Sequence, residues 1–379
     1  MNTNNLHNRK TIKTKKSHKW KLLFLLFIPL AILIRKLMAE SPDFAEMYYS
    51  RGIYKFIMQP VSVITGLVPF SFAELAVVAL IIYILVRLIY LIIKAFSVGK
   101  ASVFIPFITN IIMVGSLCYF IQATIWNLNY ERLPFSENID LKIEESSIDE
   151  LEALCKWHID KTNELREQVS EDETGVMQMD GGYKSIFARA QAGFVTLEKQ
   201  YPFLEGKYGR PKPVLLSRVM SHLNFTGVYS CLTGEANINV DAPQMGIPST
   251  TMHEMAHQRG IAREDEANYV AYIACMAHPD IDFKYSGSSM ALQYCMNALY
   301  AEDPDRYFNL IEYYSNEYRR DIESRSAYWQ QFQGETQKIA NKINDTYLKL
   351  NGQTDGVKSY GRMVDLLMAE YKQNIEEYR

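Results

Sequence analysis

The chain has 379 residues, 48% of them hydrophobic and 22% charged, with a formal net charge of −3. This composition excludes a disordered, collagen-like or disulfide-dense miniprotein and allows two or more parts. The near-neutral total averages two unlike halves: residues 1–126 carry 14 Lys/Arg against 4 Asp/Glu, and residues 127–379 carry 26 against 39. A nucleic-acid partner is not expected, because its main affinity term needs an exposed basic face on the globular part.

Residues 1–21 hold seven cations (Arg9, Lys10, Lys13, Lys15, Lys16, Lys19, Lys21) and no acid, and run directly into the apolar stretch Leu22–Ile34. Cations before a greasy segment are the mark of a cytoplasm-facing amino terminus. The stretch is shorter than the roughly 20 residues of a spanning helix, but Leu37–Ala39 extend it and the flanking cations can snorkel. A retained anchor is preferred to a cleaved signal peptide, because Arg35 and Lys36 follow the apolar core and no A-x-A pattern is present. Two further spans are expected at Leu75–Ile93, interrupted by Arg87, and at Val103–Ile125, which contains Asn110 and ends near Trp126. Lys94 and Lys100 place the turn between them inside. The expected topology is then a multi-pass cell-membrane protein with its amino terminus in the cytoplasm, residues 37–73 outside as a loop, and residues 127–379 extracytoplasmic. Arg87 reads as a snorkelling or helix-packing cation, and nothing suggests a transporter, which needs more spans and paired intramembrane charges.

Beyond residue 127 the pattern becomes amphipathic. Ser147-Ile-Asp-Glu150 is a capping box opening a helix, and Ile148, Leu151, Leu154, Cys155 and Ile159 share one face. Helices are expected at Lys184–Gln200, Pro304–Arg320, Ile322–Leu350 and Arg362–Tyr378, and strands at Pro211–Met220 and Gly227–Val240, the latter around a Thr233-Gly234 turn. Four cysteines lie outside the spans (Cys155, Cys231, Cys275, Cys295) without zinc-ribbon spacing, so two disulfides or isolated thiols are both compatible with the sequence.

Chemistry concentrates in residues 251–268. His253 and His257 are four apart, so on a helix both imidazoles leave one face and can share a zinc ion, with Glu254 beside them as general base for water. With 7 His in the chain, a random HExxH is expected in roughly one such chain in a hundred. Helix capping accounts for Thr251-x-x-Glu254 but not for two His at ligand spacing. Gly260 can end the helix in a left-handed turn, after which a second helix from about Glu264 returns a carboxylate, either Glu264 or Glu266, which helical periodicity sends to different faces. His278 reads as a helix-end residue, and His158 and His222 as ordinary ones.

Glu264-x-x-Ala267-Asn268 resembles the E-x-x-A-D/N signature of gluzincin metallopeptidases. That resemblance implies Glu264 as third metal ligand and Asn268 as a residue supporting a ligand His, although only six residues separate His257 from Glu264. The whole layout resembles the bacterial membrane family known as domain of unknown function 3810. The motifs are Thr233–Asn237 (TGEAN), His253–Gln258 (HEMAHQ), Glu264–Asn268 (ExEAN) and Ser359–Arg362 (SYGR). The resemblance implies a zincin-like fold. The expected architecture is a membrane-anchored α+β protein: residues 1–126 as basic tail and about three transmembrane helices, and residues 127–379 as a mostly helical zincin-like domain with a small β-sheet. The expected function is that of an extracytoplasmic zinc metallopeptidase acting on a peptide or protein substrate, with His253, His257 and Glu264 on zinc, Glu254 as base, Asn268 behind them, and membrane lipid as the other partner. A zinc hydrolase of other amides and a non-catalytic zinc-binding sensor are the competing readings. Tyr360, Arg362 and Tyr269 are the candidate oxyanion donors.

Overall fold

The computed structural model describes residues 19–353, 356 and 362–374. The cations Arg9 to Lys16, and Ser359, Tyr360 and Gly361 of the carboxy-terminal motif, lie outside these residues. Among the described residues, three helices are long and apolar enough to cross a membrane: α1 (Trp20–Ala39), α3 (Phe72–Val98) and α4 (Ala101–Glu131). Each contains an expected span. α3 has well-made ends: the Ser71 hydroxyl accepts from the Glu74 amide, and Gly99 closes the helix at φ 63°. The polar interruptions have these neighbours. Lys21 Nζ bonds Asn110 Oδ1, and the Arg87 guanidinium lies 5.4 Å from the Tyr90 ring centroid.

Between α1 and α3 the expected loop is instead a continuous helix, α2 (42–65), whose middle, Ala45–Tyr54, widens into a π-type turn. It is built into the carboxy-terminal body. Glu46 receives both Nε and Nη2 of Arg132 at 2.6 Å. The Lys212 ammonium reaches the carbonyls of Thr65 and Phe70 and pairs with Glu235, whose carboxylate also accepts the amides of Phe72 and Ala73. The carboxy-terminal body is therefore assembled from residues 127–353 and 362–374 together with residues 42–74, although these meet through two membrane-length helices.

That body is mostly helical. α5 (Ile148–Arg166) opens on the expected capping box, with the Ser147 and Glu150 side chains exchanging bonds with each other's backbone amides. Its core is a layer of α5, α7 (Glu264–Met276) and α8 (Ile281–Glu302), with α6 (Ile247–Gln258) packed on α7. α7 and α8 meet so closely that a Cβ at Gly287 would strike Cys275, which is why glycine stands there. Further helices follow as α9 (Asn316–Gln330), α10 (Glu335–Leu350) and α11 (Met363–Gln373). The expected helices 304–320 and 322–350 are thus re-divided: Ser315 caps the Tyr318 amide to start α9, and α10 begins after Gly334. The expected helix 184–200 is two short ones, Gly182–Arg189 and Gln191–Leu197.

The sheet has three strands in the order β1-β3-β2, where β1 is Lys212–Pro213, β2 is Gly227–Ser230 and β3 is Glu235–Ile238. β1 runs parallel to β3, and β2 pairs antiparallel with it around Gly234 at φ 65°. The strand expected over 211–220 shrinks to two residues, because Glu74 takes the amides of Leu215 and Leu216 and turns the chain into a short helix at Ser217. All five cysteines are free.

His158 on α5 is buried against Trp157 and Tyr272, and burial pushes its pKa down to about 3. A histidine whose folded pKa is depressed stabilises only while neutral, so its contribution is complete above about pH 6.5 and is lost as pH falls toward 3, by ~1.4 kcal/mol per unit. The thermal midpoint is expected to drop through that window and to drop less steeply in His158→Gln. An identical slope in the variant would contradict this.

Candidate metal centre

α6 enters its first turn through Pro248, where the missing amide is harmless. At its other end the Gly260 amide donates to His257 O at 2.9 Å and the Ile261 amide to Ala256 O at 3.3 Å, with Gly260 at φ 82°. These paired bonds form a Schellman turn, and they reverse the chain in a few residues. α7 then starts at Glu264, after an extended Arg263, and points its first carboxylate back at α6.

The result is a three-residue cluster. Glu264 Oε2 lies 3.2 Å from His253 Nε2 and 3.6 Å from His257 Nε2, and the three candidate donor atoms are all within 4.8 Å of one another. Two imidazole nitrogens and one carboxylate oxygen form a donor set that suits a divalent metal and leaves positions open. Glu266 turns the other way: its carboxylate accepts the Phe135 amide at 2.8 Å and Arg263 Nη1 at 3.1 Å. Of the two carboxylates, Glu264 is the one the fold brings to the histidines.

The neighbours orient these groups. His257 Nδ1 lies 2.6 Å from Ile261 O, a contact that places the ring proton on Nδ1 and leaves Nε2 facing Glu264. The edge of Trp126, at the exit of α4, packs on the same ring at 5.5 Å between centroids. Burial opposes protonation of His257, but the Glu264 and Glu254 charges outweigh it and hold the imidazole up at about 9. Burial likewise works to raise Glu264, and the two imidazoles overcome it and keep that carboxyl well below the usual range. Glu254 goes the other way. Burial raises its pKa against the pull of the two imidazoles.

Glu254 lies under β2. It accepts a bond from the Tyr229 backbone amide, and its Oε2 is buried without a partner. Gly227 makes room for it, because a Cβ there would stand 2.7 Å from Cγ and 2.9 Å from Cδ of Glu254. His253 and Glu254 open on a cleft of about 850 Å³ whose walls include Gly227, Tyr294, Arg325 and Trp329. Asn268, expected behind a ligand imidazole, lines this cleft too, and its Nδ2 donates to Tyr294 Oη at 3.1 Å. Its described bond is therefore to a tyrosine and not to a histidine.

Among the oxyanion candidates, Tyr269 is buried in the core against Phe135, and Arg362 pairs with Asp265 at 3.5 Å beside a separate cleft that also includes Arg35. Tyr360 lies outside the described residues. The cleft's own polar groups, Tyr294 from α8 and Arg325 from α9, were not foreseen, since neither sits in a motif and both arrive by tertiary packing. Burial pushes the Tyr294 phenol up to about 12, so it keeps its proton at neutral pH.

The family model described as "Protein of unknown function (DUF3810)" matches residues 49–368. The chain belongs to the DUF3810 family. The match spans α2 from residue 49, both later membrane-length helices, the sheet, the cluster and the start of α11, while α1 and Glu46 precede it. No curated protein and no solved structure is significantly similar to this DUF3810 chain.

Proposed function

We propose that the protein is a membrane-anchored, zinc-dependent metallopeptidase with a zincin-like catalytic domain outside the cytoplasm. The observation that carries this reading is Glu254: a buried carboxylate with one unpartnered oxygen, on the wall of the same cleft as His253. A metal-binding protein without catalysis has no need of it. Zinc on His253, His257 and Glu264 would supply Lewis-acid chemistry toward water and the scissile carbonyl.

The chain's own residues then divide the work. Glu254, its pKa raised by burial, takes the proton of the attacking water and passes it to the leaving amine. Tyr294, still protonated and steadied by Asn268, donates to the developing oxyanion. β2 is an edge strand. The pairing of Asn239 N with Thr226 O directs the amide and carbonyl of the alternate residue Gly227 away from β3, toward an incoming extended chain. The walls contributed by Asn239, Gln293 and Gln330 favour a polar substrate. The three membrane-length helices anchor the domain, and the charge asymmetry of the amino-terminal half supports a cytoplasmic amino terminus.

The test is digestion of a broad peptide library by the full-length protein in detergent, with new termini read by mass spectrometry. Cleavage that a chelator removes and zinc restores is expected. A zinc-loaded protein that cleaves nothing would favour the sensor. Gly227→Ala should displace Glu254 and lower turnover by about 10²-fold while metal content stays unchanged, because small misplacements of a reacting group are costly. Full activity in that variant would contradict the placement of Glu254.

A further inference from the structure

α2 is amphipathic in the inverted sense. Asp43 in its first turn is exposed, but from Glu46 onward its charged and amide side chains face the protein: Glu46 on Arg132, Arg51 on Asn138, Lys55 on the carbonyls of Phe203 and Glu205, and Gln59 on the Lys207 amide. Its exposed positions from 44 to 67 include no charged residue. They are instead large and apolar, with Phe56 at 82%, Leu67 at 79%, Ile64 at 64% and Met47 at 56% exposure, joined by Phe44 and Ile53. A contiguous apolar stripe on the outside with ion pairs on the inside is the wrong way round for a helix facing water.

The chain reaches α2 from α1 and leaves it into α3, so both its ends are tied to helices of membrane length. Both ends are also bonded to the carboxy-terminal body, through Glu46 with Arg132 and through Thr65 with Lys212. A helix held in this way cannot cross the bilayer and must run along its surface. We infer that α2 is an in-plane membrane helix, with its apolar stripe seated among the lipid acyl chains of the leaflet on the side of the carboxy-terminal body. This rests on the reading of α1, α3 and α4 as membrane spans but not on any catalytic reading.

The placement bears directly on the cluster. From the face opposite the lipid, Tyr54 Oη donates to His257 O at 3.1 Å, and Ser62 Oγ accepts from Gln258 Nε2 at 3.0 Å. Helices in contact pack about 8–10 Å apart, so only the thickness of α2 separates the end of α6 from lipid.

The experiment uses spin labels on the full-length protein in phosphatidylcholine/phosphatidylglycerol vesicles. Single cysteines replace Phe56, Ile64, Val86 of α3 and Thr336 of α10, in a Cys118→Ser, Cys231→Ser background. Collisions with lipid-soluble oxygen and with a water-soluble nickel chelate are then compared. At 56 and 64 the expected result matches 86, with oxygen contact and loss of nickel contact, and 336 shows the reverse. Nickel contact at 56 and 64 with 86 shielded would overturn the in-plane helix. Spin–spin broadening at 56 with neither reagent reaching it would overturn it in favour of a second copy of the chain. Nickel contact at 86 would overturn the membrane reading along with it.

Discussion

Replacing Glu254 with glutamine is expected to leave the metal in place and to lower peptide turnover by about 10²- to 10⁴-fold, the usual weight of a positioned general base. The substitution keeps the shape that fits under Gly227 and keeps an acceptor for the Tyr229 amide, so packing is preserved. It removes only the capacity to take a proton. Metal content and turnover measured on the same preparation separate the possibilities. Retained metal with collapsed turnover is the expected pair, and unchanged turnover would exclude Glu254 as the base.

The largest loss of stability is expected at Glu46. Glu46 and Arg132 are both buried, joined by two bonds of 2.6 Å, and Arg132 Nη1 also holds Gly260 O at 3.0 Å. Glu46→Ala leaves a guanidinium buried without its carboxylate, a change that costs about 3–5 kcal/mol. Because the same arginine braces the turn between α6 and α7, the variant should also lose metal before it unfolds. Thermal unfolding in detergent, followed with and without added zinc, measures both effects. A midpoint equal to wild type would show that the pair holds nothing together.

Much of this organisation is legible in the sequence, for reasons that are local. Apolar runs of near-membrane length announce α1, α3 and α4, and four-residue spacing puts His253 and His257 on one helix face whatever surrounds them. Gly260 signals the left-handed turn that aims α7 back. Resemblance favours Glu264 over Glu266, and the physical basis is visible only in the fold, where Phe135 and Arg263 claim the other carboxylate. What stayed hidden depends on distant partners. Tyr294 reaches the cleft from a helix with no motif. Leu215 and Leu216 leave the sheet because Glu74, about 140 residues earlier, takes their amides. Residues 42–65 read as part of a loop between two spans, because the groups that hold them as a helix, Arg132 and Lys212, lie far along the chain.

Whether His253, His257 and Glu264 hold a zinc ion is decided by metal analysis of the purified full-length protein. Wild type and Glu266→Ala should each carry one zinc per chain, while Glu264→Ala carries none. A wild-type protein that binds no zinc would rule out the centre, and a Glu266→Ala variant that loses zinc while Glu264→Ala keeps it would make Glu266 the ligand.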